Sequence, residues 1–175
     1  MEKVTTSINR HVLKYGLILG IISVINGVIL YAVDSYTNQS RVNTIISIII
    51  LISVTTYGIY TYKSANNGFL RLNEALKTGI GIAFIGGVIG VIWHILITSV
   101  IEPDIVNQTI NNQQDKMITR DPNMSQEQIN QSMEVIKKFN SPFITSLFAL
   151  IWNLFAGFLI SLIGGAIMQK KRDVF

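Results

Sequence analysis

Residues 78–101 read TGIGIAFIGGVIGVIWHILITSVI, twenty-four positions without an Asp, Glu, Lys or Arg. A helix of about 20 apolar residues crosses the ~30 Å hydrocarbon core of a bilayer. Five glycines punctuate the run, at 79, 81, 86, 87 and 90. In water that many would destabilise a helix. In lipid, small residues let helix backbones approach closely. The stretch therefore reads as a transmembrane helix with a packing face at Gly79, Ala83, Gly87 and Gly90, overlapped by Gly86. Three more runs are free of charge, at 15–33, 42–62 and 139–169. Each is long enough to span, and the last is longer than a span needs.

The expected fold is all-α: an integral membrane four-helix bundle, with residues 1–175 as one membrane domain. Spans are predicted at about 12–33, 42–62, 78–101 and 143–168. Between the last two, 102–138 is predicted to form an extramembrane helical hairpin. Only 14% of the chain is charged, against about 25% in a soluble domain. With no cysteine, disulfides and thiolate metal sites are excluded. Two histidines, His11 and His94, are too few for a multi-histidine metal site within one chain.

The net charge of +4 is unevenly placed. Lys3, Arg10 and Lys14 precede the first span. Lys63, Arg71 and Lys77 lie between the second and third, and Lys170, Lys171 and Arg172 follow the fourth. That side sums to +6 and the other to −2. By the positive-inside rule both termini are expected in the cytoplasm. The basic triplets read as orientation signals, without the stacking platform of a nucleic-acid site. The first span is too long for a signal-peptide core, and Tyr31 and Val33 stand where small residues would be needed for cleavage. It is expected to be retained.

Gly16, Gly20, Ser23 and Gly27 recur on one face of the first span, a second close-packing stripe. In the fourth span Gly157, Gly164 and Gly165 supply a third. Asn66-Asn67-Gly68 reads as a turn, because Asn and Gly tolerate positive φ. Phe69 to Lys77 is amphipathic, lying in the interface or extending the third span. Eleven of residues 102–138 are Asn or Gln. Two helices are expected there, one from about Ile105 to Ile118 and one starting at Ser125. Ser125 and Gln128 have the spacing of a capping box. Ile129, Met133 and Ile136 form an apolar stripe, and the amphipathic hairpin as a whole is a candidate docking surface. Ser141-Pro142 marks the start of the last span, with Pro at the first helical position. Asn-x-Ser/Thr tripeptides begin at Asn38, Asn107, Asn123 and Asn130. They match the glycosylation acceptor, but a chain this rich in Asn, Ser and Thr produces such matches by chance.

His94 is the one ionisable residue inside a charge-free run, and an intramembrane ionisable group is a functional hypothesis by default. It lies eight residues before Glu102, about 12 Å below that end at ~1.5 Å per residue. Asn26 and Asn153 lie at similar depths. The three predict a polar cluster, Asn26–His94–Asn153, in the outer half of the bundle. Its simplest role is hydrogen bonding between helices. A proton-sensing or substrate role is the alternative. Trp93 and Trp152 are expected in an interfacial belt.

Lys14-Tyr15-Gly16-Leu17-Ile18-Leu19-Gly20 is similar to the start of a bacterial membrane family, domain of unknown function 4199. Gly68-Phe69-Leu70-Arg71-Leu72-Asn73-Glu74-Ala75-Leu76-Lys77-Thr78-Gly79 resembles its central segment. Glu102-Pro103, Met124 to Ile129 and Ser141-Pro142 resemble its outer loop. The resemblance implies four spans in a bacterial inner membrane and implies no activity.

No H-E-x-x-H, G-x-S-x-G or P-loop is present. The expectation is a non-enzymatic multi-pass protein in the lipid bilayer with no catalytic or metal residues, no cofactor and no nucleic-acid partner. Its glycine faces would pack against a second copy or a membrane-protein partner. The alternative is a small oligomeric transporter or channel-like protein. A pore needs a polar stripe through the whole bilayer, whereas the polar residues here cluster in one half.

Overall fold

A computed structural model describes residues 7–37 and 41–170. The terminal charges Glu2, Lys3, Lys171, Arg172 and Asp173 and the tripeptide at Asn38 lie outside the described residues. Four long helices form the bundle: α1 (Ile8–Ala32), α2 (Arg41–Ala65), α3 (Leu72–Leu96) and α6 (Pro142–Met168). Between α3 and α6 lie a π-helical turn (Ile97–Ile101), α4 (Ile105–Arg120) and α5 (Gln126–Phe139). All four long helices are apolar enough to cross a membrane. Their outward faces carry bare hydrocarbon, from Ile21 and Ile49 to Phe155 and, at 78% exposure, Ile167. Water would penalise such a surface and lipid does not.

The helix ends follow local chemistry. Ser125 Oγ accepts from Gln128 N–H at 3.3 Å, while Gln128 Oε1 accepts from Ser125 N–H at 2.9 Å, the reciprocal pair of a capping box. Ser141 Oγ accepts from Ile144 N–H, and Pro142 opens α6 where its missing N–H costs nothing. Asn67 and Gly68 both take positive φ, 57° and 79°, reversing the chain between α2 and α3. Residues 72–77 extend α3 rather than lying flat as a separate interfacial helix. The long helices also run past the charges that bounded them in sequence, to include Arg10, Lys14, Arg41 and Lys63. Long basic side chains can reach the interface from within a helix.

The central helix is α3, flanked along its length by α1 and α6. Glycines explain how closely. A methyl group at Gly16 would fall 2.6 Å from Ile85 Cβ, and one at Gly86 2.5 Å from Leu19 Cδ2. Gly20 and Gly27 receive Ile89 and Trp93 in the same way. On the other side, Gly79 meets Ser161, Gly157 meets Ala83, and Gly165 meets Ala75. Gly81 and Gly58, absent from the sequence-based stripes, also admit neighbours, Val12 and Ile82.

The bundle end at the start of α1 and the end of α6 is tied shut. Leu70 and Lys170 exchange two backbone hydrogen bonds of 2.9 Å, joining the α2–α3 turn to the end of α6. Ile59, Tyr62, Leu70 and Ala75 form a buried cluster behind that link. A second cluster, with Tyr15, Leu19, Leu51, Ile82 and Ala83, fills the middle. At the opposite end, α4 and α5 form a hairpin with its own small core of Ile110, Ile129 and Met133. The stripe of Ile129, Met133 and Ile136 therefore faces α4.

Candidate functional site

The hairpin half of the bundle is hollow. A cavity of about 270 Å3 lies among all four long helices. Its polar wall comprises Ser23, Ser47, His94, Thr145, Ser146 and Asn153. Its floor is apolar, with Leu19 of α1 and Leu51 of α2, both buried in the central cluster. The α3 wall is backbone at Gly86, Gly87 and Gly90.

Gly90 corrects the expectation drawn from spacing. Nothing lies within 4 Å of where its Cβ would be, so it packs against no helix. It bounds the cavity instead. Gly164 likewise meets only Met168 of its own helix, at 3.4 Å. Gly87 is intermediate: a Cβ there would touch Leu150 at 3.0 Å and Asn153 at 3.4 Å.

Two smaller hollows lie on the hairpin side of the cavity, each sharing lining residues with the next. The nearer, about 110 Å3, shares His94 and Thr145 with the main cavity and is roofed by Ile105, Val106 and Thr109 of α4. The outer recess, about 160 Å3, shares Tyr36 and Ile105 with that one and carries Asp34 and Glu102 at its rim. Tyr36 and His94 stand where these spaces meet, with the phenol oxygen 3.3 Å from His94 Nδ1. Burial pushes the Tyr36 phenol up to about 12. It stays protonated and able to donate.

Of the three residues expected to form a polar cluster, the cavity brings two together. His94 and Asn153 share the cavity wall, but Asn26 is not part of it. The partner of His94 is Tyr36, fifty-eight residues away, and Asn153 Nδ2 donates to Ala149 O of its own helix at 2.9 Å. No spacing rule connects a residue in the α1–α2 turn to one in α3. Trp93 also departs from the interfacial belt: its indole sits against Gly27, with Nε1 buried and without a partner among the described residues. Trp152 is exposed, as a belt residue would be.

The roof is positioned by two devices. The π turn adds a residue to the end of α3. Glu102 N–H bonds Ile97 O at 2.8 Å, five residues back, and Thr98 Oγ1 caps the His94 carbonyl at 2.6 Å. Single π turns are frequent at functional sites. Gln113 of α4 and Asn140, between α5 and α6, exchange side-chain amide bonds of 3.2 and 3.1 Å. That pair holds the hairpin against the start of α6.

One lining group has no partner. Ser146 is 4% exposed, and its Oγ has no hydrogen-bond partner among the described residues. Most serines inside helices bond a carbonyl of the preceding turn, as Ser161 does with Gly157 O. A buried hydroxyl without a partner carries a desolvation penalty, so Ser146 marks a place where a hydrogen-bonding molecule would gain free energy.

These features define an all-helical, multi-pass membrane protein with a largely apolar cavity, dotted with hydroxyl and amide groups, in one half of the bundle. Residues 14–170 match the family described as protein of unknown function (DUF4199), and the chain belongs to that family. No curated protein and no solved structure matches it.

Proposed function

We propose that this chain is a non-enzymatic binding protein of a bacterial inner membrane, holding a small solute in a pocket reached from the hairpin side. The observation that carries the reading is the cavity among the four long helices, with Ser146, whose buried hydroxyl has no partner among the described residues, in its wall. The floor at Leu19 and Leu51 argues against an open pore. The bundle then serves as a membrane receptor, or as the outward-facing state of a transporter whose other state moves that floor. The charge imbalance supports cytoplasmic termini and an outward hairpin. A non-enzymatic role is supported by the site's chemistry: its one imidazole is paired with a phenol rather than with a serine. Assembly through glycine faces has less support, because most of those glycines already meet neighbours within the chain.

The chain has no cysteine, so single cysteines can report access. Val91→Cys, in the cavity wall, should react with a membrane-impermeant thiol reagent added from the hairpin side. Gln108→Cys at the outer recess should react faster. Thr55→Cys, one turn beyond the floor and 0% exposed, should not react. Silence at Val91→Cys, or labelling from the terminal side, would refute the pocket. Reagent added outside intact cells tests the orientation.

A further inference from the structure

We infer that the deep cavity selects a small uncharged molecule rich in O–H or N–H donors, of the glycerol or urea type, over an ion. The inference rests on the pocket proposed above and adds its ligand chemistry. The wall residues have largely committed their own donors. Ser47 Oγ donates to Asn43 O at 3.0 Å, and Thr145 Oγ1 donates to Phe139 O at 3.2 Å. One Asn153 amide proton goes to Ala149 O. A hydroxyl carries one proton and two lone pairs, so Ser47 and Thr145 present acceptors to the cavity, as does the Asn153 carbonyl. Ser146 has both functions free. Ser23 and His94 complete the polar part of a mostly apolar lining; over these side chains acceptor lone pairs outnumber uncommitted donors, which complements a small ligand carrying several donors.

Charge is excluded by the same wall. Apart from His94, whose Nδ1 lies 3.3 Å from the Tyr36 phenol, none of the residues lining the deep cavity is ionisable. An ion leaving water for such a site loses hydration that unpaired hydroxyls do not replace. Asp34 and Glu102 stand at the outer recess, two hollows away, where they can gather cations without lodging them in the cavity. The floor of Leu19 and Leu51 and the bare backbone at Gly90 leave an apolar side for a carbon skeleton. The volume, about 270 Å3, falls just below the ~300–1,000 Å3 of pockets for drug-sized ligands, which suits a molecule of few heavy atoms.

The test uses the full chain in proteoliposomes with Val91→Cys as reporter. Labelling rates are measured in glycerol, urea, KCl and NH4Cl at matched osmolality. Glycerol and urea should slow Val91→Cys and leave Gln108→Cys unchanged, which controls for viscosity and reagent chemistry. At twice its Kd a ligand slows labelling about threefold by mass action. Ser146→Ala relieves an unpaired buried hydroxyl, so it should fold at least as well. It should also raise the glycerol concentration for half-protection about fivefold, the loss of one ordinary hydrogen bond. Protection by KCl or NH4Cl equal to that by the neutral probes overturns the inference. So does the absence of protection by glycerol and urea, or unchanged protection in Ser146→Ala. Failure of Val91→Cys to label at all overturns the pocket itself, a separate result.

Discussion

The two halves of the bundle use the same residue type for opposite ends. In the terminal half, glycine removes a side chain so that a neighbour can take its place: Gly157 receives Ala83 and Gly165 receives Ala75. Polar groups there turn back on their own helices, as Ser161 does to Gly157 O and Thr78 to Glu74 O. In the hairpin half Gly20 and Gly27 still receive Ile89 and Trp93 where α1 meets α3, but on the face of α3 toward the cavity Gly90 removes a side chain and nothing fills the space. Ser146 keeps its hydroxyl unpaired. Close packing drives helix association in lipid, where burying hydrocarbon gains little. A bundle that closes one half this tightly can leave the other open. The contrast has an exception: Thr55, just beyond the cavity floor, is also buried with an unpaired hydroxyl. The terminal half is tight but not free of orphaned polar groups.

The contrast is broken most directly by two matched substitutions. Gly157→Leu drives a side chain into Ala83, which is 0% exposed, and toward the Gly79 carbonyl at 3.4 Å. Overpacking a tight interface typically costs about 1–3 kcal/mol, and more where backbone is in the way. The expected outcome is loss of the monodisperse peak in detergent size-exclusion chromatography. Gly90→Leu has the same chemistry and meets open space. It should keep that peak, with a melting temperature equal to or above the parent's, since glycine costs a helix up to about 1 kcal/mol relative to a better helix former. It should also abolish Val91→Cys labelling by filling the cavity. If the two variants unfold alike, the halves do not differ as described.

The parts of this architecture that were legible in sequence depend on neighbours along the chain. Charge-free runs announce spans, Ser125 with Gln128 announces a cap, and Asn67-Gly68 announces a reversal. Each needs only a few adjacent residues to form. The cavity depends on what stands opposite. Gly87 and Gly90 share one stripe, yet one touches Leu150 and Asn153 and the other touches nothing. Ser47 and Ser146 are two among many hydroxyls, distinguished only by the space they face. Asn26 lies at the right depth but is not part of the cavity wall. Depth can be counted from a span's end. Azimuth around the bundle requires knowing which helices are neighbours.

The smallest effect concerns the junction between the inner and outer hollows. Tyr36→Phe keeps the ring and removes the hydroxyl that lies 3.3 Å from His94 Nδ1. The bond is long and only partly buried, so its loss should cost about 0.5 kcal/mol, the low end for a hydrogen bond. Its pH signature is more specific than its size. Burial raises the Tyr36 phenol from 10.0 to about 12. The folded state then holds that proton more tightly than the unfolded chain, so the contribution is fully present below pH 10. It is lost as pH rises from 10 through about 12, where the unfolded phenol ionises first. Thermal melts at pH 8 and pH 11 should therefore show a smaller alkaline drop for Tyr36→Phe than for the parent. An identical drop in both would place Tyr36 in water and detach it from His94. Faster labelling of Val91→Cys in Tyr36→Phe would show in addition that the phenol–imidazole pair restrains access to the open half.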